Sequence, residues 1–334
     1  MFQPTDLCRD VSEQAFNRHD ALFRVVPLPS GYRRMQEIDR IWVKYDEGKL
    51  LDHIESLDEI NRLALTFGRD VAATFRLVTL LPNRYQNPAG YSLSDAPVIG
   101  LLTRVAKLLR LICRFYELRN GDYLSVFSRP LVESAIVATY LLRGGDEAVE
   151  DFRRCSFKDT LRILRDHEDG SEFFDTSTGR RVLRSAIADL ALEGLAKDSF
   201  ARQKRNRWRL QGKSLYEIFV ETAGADEFPF VYGMMSESTH GSWNESMDWC
   251  LAKNDDGTFS ANPHFISADA RTMLPLVRYS TPAYVLWLDK IRLQDESLLL
   301  ALQRIQDYAL AIYVAFDERY DGPAADGAGT TDPS

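Results

Sequence analysis

The sequence predicts an all-α fold, a multi-helix bundle carrying one small β-hairpin near 247–260. Apolar residues recur at spacings of three and four over most of the 334 residues, which is the period of a half-buried helix. The interruptions are clusters of Pro, Gly and Asn. Only one stretch reads as strand, where Met247 to Ala252 and Thr258 to Ser260 flank an Asp256-Gly257 turn.

Taken in order, residues 5–24 read as an amphipathic helix ended by Pro27 and Pro29. A second helix over 32–46 spaces Met35, Ile38, Ile41, Trp42 and Tyr45 on one face. A third, from about Asp58 to Leu80, carries Ile60, Leu63, Ala64, Phe67, Val71, Phe75 and Val78. Ser56 or Asp58 caps it, with Glu59 in the first turn, where a carboxylate suits the helix dipole. The prolines and asparagines of 82–97 mark a loop and a boundary, so that 1–81 reads as an N-terminal helical layer on a main helical domain, 95–319.

The most apolar pair follows. Pro97 to Arg119 is closed by Asn120-Gly121, and 122–143 is closed by Gly144-Gly145. So short a connection favours antiparallel neighbours. Pro130 leaves two readings: Ser128 caps a fresh helix, or the helix kinks there. Further helices are expected at 146–168, 179–201, 213–223 and 227–241, then two or three over 267–318, interrupted near Pro275 and Pro282. Residues 320–334, rich in Gly, Ala, Asp and Pro, read as a disordered tail.

Composition narrows the functional classes. With 45% hydrophobic and 27% charged residues the chain has the balance of a soluble globular protein. A net charge of −8 argues against coating nucleic acid by bulk electrostatics. No stretch approaches the roughly 18–20 uncharged apolar residues that span a bilayer, and no signal peptide is visible, so a cytoplasmic protein without a membrane partner is expected. Cys8, Cys113, Cys155 and Cys250 are scattered without a CxxC pair, and His19, His53, His167 and His264 show no ligand spacing. No metal, cofactor or disulfide framework is therefore expected. Walker, dinucleotide-binding and kinase signatures are absent.

Two helical stretches concentrate polar groups among apolar ones. In the first, Arg129, Glu133, Ile136, Val137 and Tyr140 share a helix face. A carboxylate on an apolar stripe needs a cation or several donors, and Arg129 one turn away can supply them. The pair either fixes helix register or lines a functional polar pocket. In the second, Tyr232, Ser236 and His240 step by four, and two hydroxyls with an imidazole can form a proton relay. His240, directly before Gly241, either caps the helix or acts as general acid/base. Ser236 lacks the Gly-x-Ser-x-Gly elbow of a nucleophile.

A third feature is the basic run Arg202, Lys204, Arg205, Arg207, Arg209 and Lys213 around Trp208. It can contact RNA or nucleotide phosphate and stack on a base, or form a solvated loop in which Trp208 anchors a domain seam. The apolar helices 97–119 and 122–143 can bury against each other or in a homo-oligomer.

The stretch Ser128-Arg129-Pro130-Leu131-Val132-Glu133 running on to Tyr140-Leu141 resembles the first block of an uncharacterised bacterial helical domain family. Phe152 to Ser156, then Trp208, then Tyr232-x3-Ser236-x3-His240-Gly241-Ser242 are similar to its later blocks in the same order, over roughly residues 95–265. The resemblance implies a mostly helical fold and no established activity. A weaker likeness is to the HEPN superfamily, many of whose members are metal-independent ribonucleases of toxin and phage-defence systems. Its hallmark is an Arg followed four to six residues later by His on one helix, whereas this chain has Met235 and Ser236 before His240.

Two functions follow as expectations. One is a ligand-sensing or purely structural helical protein, part of a stress or defence system, centred on Arg129, Glu133, Tyr140, Tyr232, Ser236 and His240. The other is a metal-independent ribonuclease or phosphodiesterase, with His240 as general acid/base, Arg129 steadying the charged transition state and the basic run holding the backbone.

Overall fold

The computed structural model describes residues 31–45, 49–81, 90–194, 209–233, 235, 243, 246–265, 267–293 and 295–320. Its elements in chain order are α1 (Gly31–Trp42), α2 (Leu57–Thr79), α3 (Ala96–Glu117), α4 (Leu124–Ser156), α5 (Lys158–Glu168), α6 (Ser177–Leu192), α7 (Leu215–Ala223), β1 (Leu251–Lys253), β2 (Phe259–Ala261), α8 (Ala270–Lys290) and α9 (Glu296–Tyr320). The architecture is the all-α bundle with a small hairpin that the periodicity predicts. The helix expected over 5–24 lies outside the described residues.

Of the described residues, those within Glu147–Ser214 form one compact unit, and those within Ser30–Asp146 and Leu215–Ser334 form another. α2 and α3 pack side by side in the second of these units. The reason lies in their faces. Ile60, Phe67, Val71 and Phe75 of α2 and Leu102, Val105 and Leu109 of α3 are all fully buried. α8 and α9 complete this core, with Phe75 stacked on Tyr284 at 3.8 Å and the Tyr284 hydroxyl donating to Leu102 O at 2.7 Å. At roughly 25 cal/mol per Å² of apolar surface, such side chains each contribute about 1.5–3 kcal/mol.

Local signals set some of the helix ends. Ser56 accepts from the Glu59 N–H while the Glu59 carboxylate accepts from the Ser56 N–H, a complete capping box at the start of α2. Asp269 caps α8 by accepting from Arg271 N. α8 then runs unbroken through Pro275 and Pro282, so the interruptions expected there do not occur. Each internal Pro costs a helix about 3 kcal/mol. Burial of Met273, Leu274, Leu276, Val277, Ala283, Tyr284 and Trp287 on this one helix outweighs that.

α4 resolves the two readings of Pro130. Ser128 does not cap a new helix, since α4 begins at Leu124 and the Ser128 hydroxyl bonds back to Leu124 O at 2.7 Å. The departure from helical geometry falls at Gly145 instead, with φ +69°, a region that suits a residue lacking Cβ. The chain passes from one unit to the other just beyond it. Phe127 of α4 stacks on Phe115 of α3 at 5.2 Å.

In the unit within Glu147–Ser214, α5 and α6 bury Leu161 and Leu190 against Phe157 and Leu164. Arg153 pairs with Glu193 at one end of it. The hairpin pairs Leu251 with Ala261 and Lys253 with Phe259, antiparallel, and Gly257 supplies the positive φ of its turn.

α9 is long and apolar enough by length and composition to cross a membrane. Its Leu302, Ile305 and Ile312 are nonetheless fully buried, and it packs against α8, α2 and α1 as a core helix does.

Candidate functional site

The fourfold spacing of Arg129 and Glu133 on α4 lets their side chains meet one turn apart. Arg129 Nε donates to Glu133 Oε1 at 3.0 Å, although Arg before Glu is the weaker order for an intrahelical pair. What fixes them is a third group from far along the chain. The short π-helical turn Pro229–Gly233 carries Tyr232, whose hydroxyl donates to Glu133 Oε1 at 2.7 Å and accepts from Arg129 Nη2 at 2.6 Å. Three side chains thus close a ring of three hydrogen bonds, each charge-assisted because its donor or its acceptor is ionised. Arg129 Cζ also lies 4.8 Å from the Tyr232 ring centroid, a cation–π contact.

The electrostatics follow from this closure. Burial first, then the hydrogen bond and charge of Glu133, push the Tyr232 phenol up to about 12, against the opposing pull of Arg129. The phenol is neutral at physiological pH and serves as a donor. Burial works to lower the Arg129 pKa, but the contacts with Glu133 and Tyr232 outweigh it, and the net shift is upward.

The ring is only partly closed to solvent, with Arg129 and Glu133 side chains 24% and 33% exposed. Nε and one hydrogen of Nη2 are spent inside it. Nη1 and Glu133 Oε2 make no hydrogen bond among the described residues. Behind the ring stands an aromatic wall absent from the sequence-derived site. Phe228 stacks on Tyr232 at 4.9 Å and meets Phe219 and Tyr216 edge-on at 5.2 and 4.7 Å. Phe228 stands four residues before Tyr232, so an aromatic pair at helical spacing was the signal for it. Glu227 beside it binds the Tyr279 hydroxyl and pairs with Arg278 at 3.3 Å.

The structure therefore brings Arg129, Glu133 and Tyr232 together. Tyr140 is buried on the same helix, two turns from Glu133, and stands outside the ring. Ser236, His240 and Trp208 lie outside the described residues, as do Arg202, Lys204, Arg205 and Arg207. Arg209 is exposed, its guanidinium donating to Gly212 O at 2.7 Å. Its carbonyl accepts from the Cys155 thiol at 2.8 Å. Among the described residues no group of three His, Cys, Asp or Glu side chains could hold a metal ion.

Fold and site define a helical-bundle protein with an Arg–Glu–Tyr ring on its fourth described helix. Residues 95–258 match the model of a family of unknown function, DUF5677, a span that includes all three ring residues and agrees with the resemblance read from the sequence blocks. No curated protein and no solved structure gives a significant match to the chain.

Proposed function

We propose that the protein is a non-catalytic ligand-binding module whose centre, Arg129, Glu133 and Tyr232, takes a small molecule bearing a nucleobase-type edge. The observation that carries this reading is the unused outer side of the ring. Among the described residues, a guanidinium with three N–H donors left over stands beside a carboxylate oxygen with lone pairs left over, both side chains a quarter to a third exposed. A purely structural pair gains most by satisfying both groups completely. A ligand that sets an acceptor next to donors satisfies them at once. Guanine does so, with O6 and N7 for the arginine and N1–H and N2–H for the carboxylate. The Phe228–Tyr232 stack supplies a neighbouring aromatic surface.

The test is calorimetry and thermal melting of the whole chain with guanosine, adenosine and uridine, on wild type, Arg129→Lys and Glu133→Gln. Guanosine should raise the wild-type melting temperature most, and each variant should lose that rise. If no nucleoside shifts the wild type while each variant costs several kcal/mol, the ring is a structural ion pair. The ribonuclease reading depends on His240. RNA cleavage in the presence of EDTA that disappears in His240→Ala would replace binding with turnover.

A further inference from the structure

The hairpin ends in an uncovered strand, for β2 is exposed along its whole length. Ala252 and Ser260 form its hydrogen-bonded pair. On either side of them Asn254 N donates to Thr258 O at 2.9 Å and Asn262 N donates to Cys250 O at 2.8 Å. In an antiparallel ladder the residues between such pairs turn their N–H and C=O groups outward. Phe259 and Ala261 hold those positions on β2, and neither makes a backbone hydrogen bond to another element among the described residues.

The two faces of the hairpin differ. Asn254, Thr258 and Ser260 form a polar face, on which the Asn254 amide donates to the two hydroxyls at 2.8 and 3.0 Å. Phe259 and Ala261 stand on the other face. There Trp243 meets Phe259 edge-on at 6.0 Å, and the two side chains are 60% and 45% exposed. From Thr258 to Asn262 the chain carries no charge and no Pro, the devices that keep edge strands apart. The opposite edge, on β1, carries the exposed Lys253, which guards it.

We infer that β2 is the pairing edge of a twofold dimer of this chain, running antiparallel to β2 of a second copy about an axis at Ser260. That register is self-complementary. Phe259 of each copy faces Ala261 of the other, and the outward N–H and C=O groups of both meet their mates. An axis perpendicular to the sheet keeps both Trp243–Phe259 pairs on one face, where they bury together. The charges match as well. Pairing about residue 260 sets position 256 against position 264, so the exposed Asp256 of each copy approaches the exposed His264 of the other.

The experiment is sedimentation velocity of the full chain over a concentration series, for wild type, Ala261→Pro, Phe259→Thr and His264→Asp. Wild type should pass from monomer to dimer as concentration rises. Ala261→Pro deletes an N–H that the hairpin itself does not use, and it should weaken association by about tenfold or more. Phe259→Thr keeps a strand-forming side chain and every backbone donor, so its weaker association reads the aromatic face alone. His264→Asp sets like charges against each other and should weaken the dimer more at low salt than at high. Two results overturn the pairing. One is a wild type that stays monomeric at every concentration, which leaves the edge to an extended segment of another protein. The other is a dimer that neither Ala261→Pro nor Phe259→Thr weakens.

Discussion

Tyr232 and Glu133 stand 99 residues apart in sequence, and a 2.7 Å hydrogen bond joins them, with the Tyr232 hydroxyl as donor. This contact ties the turn after α7 to α4 and gives the Arg129–Glu133 pair its geometry. Removing the hydroxyl in Tyr232→Phe should cost about 1–2 kcal/mol, the lower part of the range for a hydrogen bond to a charged group, because the pair retains solvent access. Urea denaturation measures it. In a double-mutant cycle with Glu133→Gln the two losses should fall short of additive by at least about 0.5 kcal/mol, as expected for groups in contact. Strict additivity would mean the two side chains are not coupled in solution.

The raised phenol gives a pH signature. The Tyr232 pKa is about 12 in the folded chain against an ordinary value of 10.0, so the folded state holds this proton more tightly than the unfolded one. The stabilisation is complete below pH 10 and is lost as pH rises from 10 through 12. Tyr91 is displaced to about 12 by burial as well, so the chain as a whole should lose stability over that window. Tyr232→Phe should show a shallower loss than wild type in urea melts at successive pH values above 9. Parallel curves would show that this phenol titrates normally.

The ring was half legible in the sequence. Fourfold spacing placed Arg129 beside Glu133, because a helix makes neighbours of residues one turn apart. A carboxylate on an apolar face signalled that something must satisfy it. The sequence grouped Tyr232 with this pair in one polar centre, but nothing local encodes that its hydroxyl, from beyond three further helices, would be the donor to Glu133. The same limit explains α8, where Pro275 and Pro282 are strong local breakers overridden by tertiary burial. Ends set by local chemistry, such as the Ser56–Glu59 box and the Gly257 turn, were readable directly.

Asn61 holds three helices at one atom. Its Oδ1 accepts from the Tyr116 hydroxyl of α3 at 2.9 Å and from the Ala270 N–H, the first residue of α8, at 3.0 Å. Asn61→Ala leaves both donors without an acceptor, at about 1–3 kcal/mol for each group. The expected loss is therefore on the order of 2–4 kcal/mol. Asn61→Asp keeps an oxygen in place and should lose less. Equal losses in chemical denaturation would mean that the amide N–H group, not Oδ1, does the holding.

Gly68 of α2 lies directly against Met273 of α8. A Cβ there would lie within 2.7 Å of Met273 Sδ and Cε and 3.2 Å from the Cys113 Sγ of α3. Two opposing effects meet in Gly68→Ala. Helix propensity favours Ala by about 1 kcal/mol at an interior position. Overpacking a filled core costs about 1–3 kcal/mol. The thioether end is flexible, but Met273 is fully buried, and its sulfur already touches the buried Cys113 thiol at 3.7 Å, so it has nowhere nearby to go. The clash should win, and Gly68→Ala should destabilise by about 1–2 kcal/mol. Shortening the obstacle reverses the balance. In a Met273→Ala background, itself costing about 2–5 kcal/mol as a cavity mutant, the same Gly68→Ala change should stabilise by up to about 1 kcal/mol. Urea denaturation of the four variants reads the sign directly, and the same sign in both backgrounds would mean that Met273 is not what keeps residue 68 a glycine.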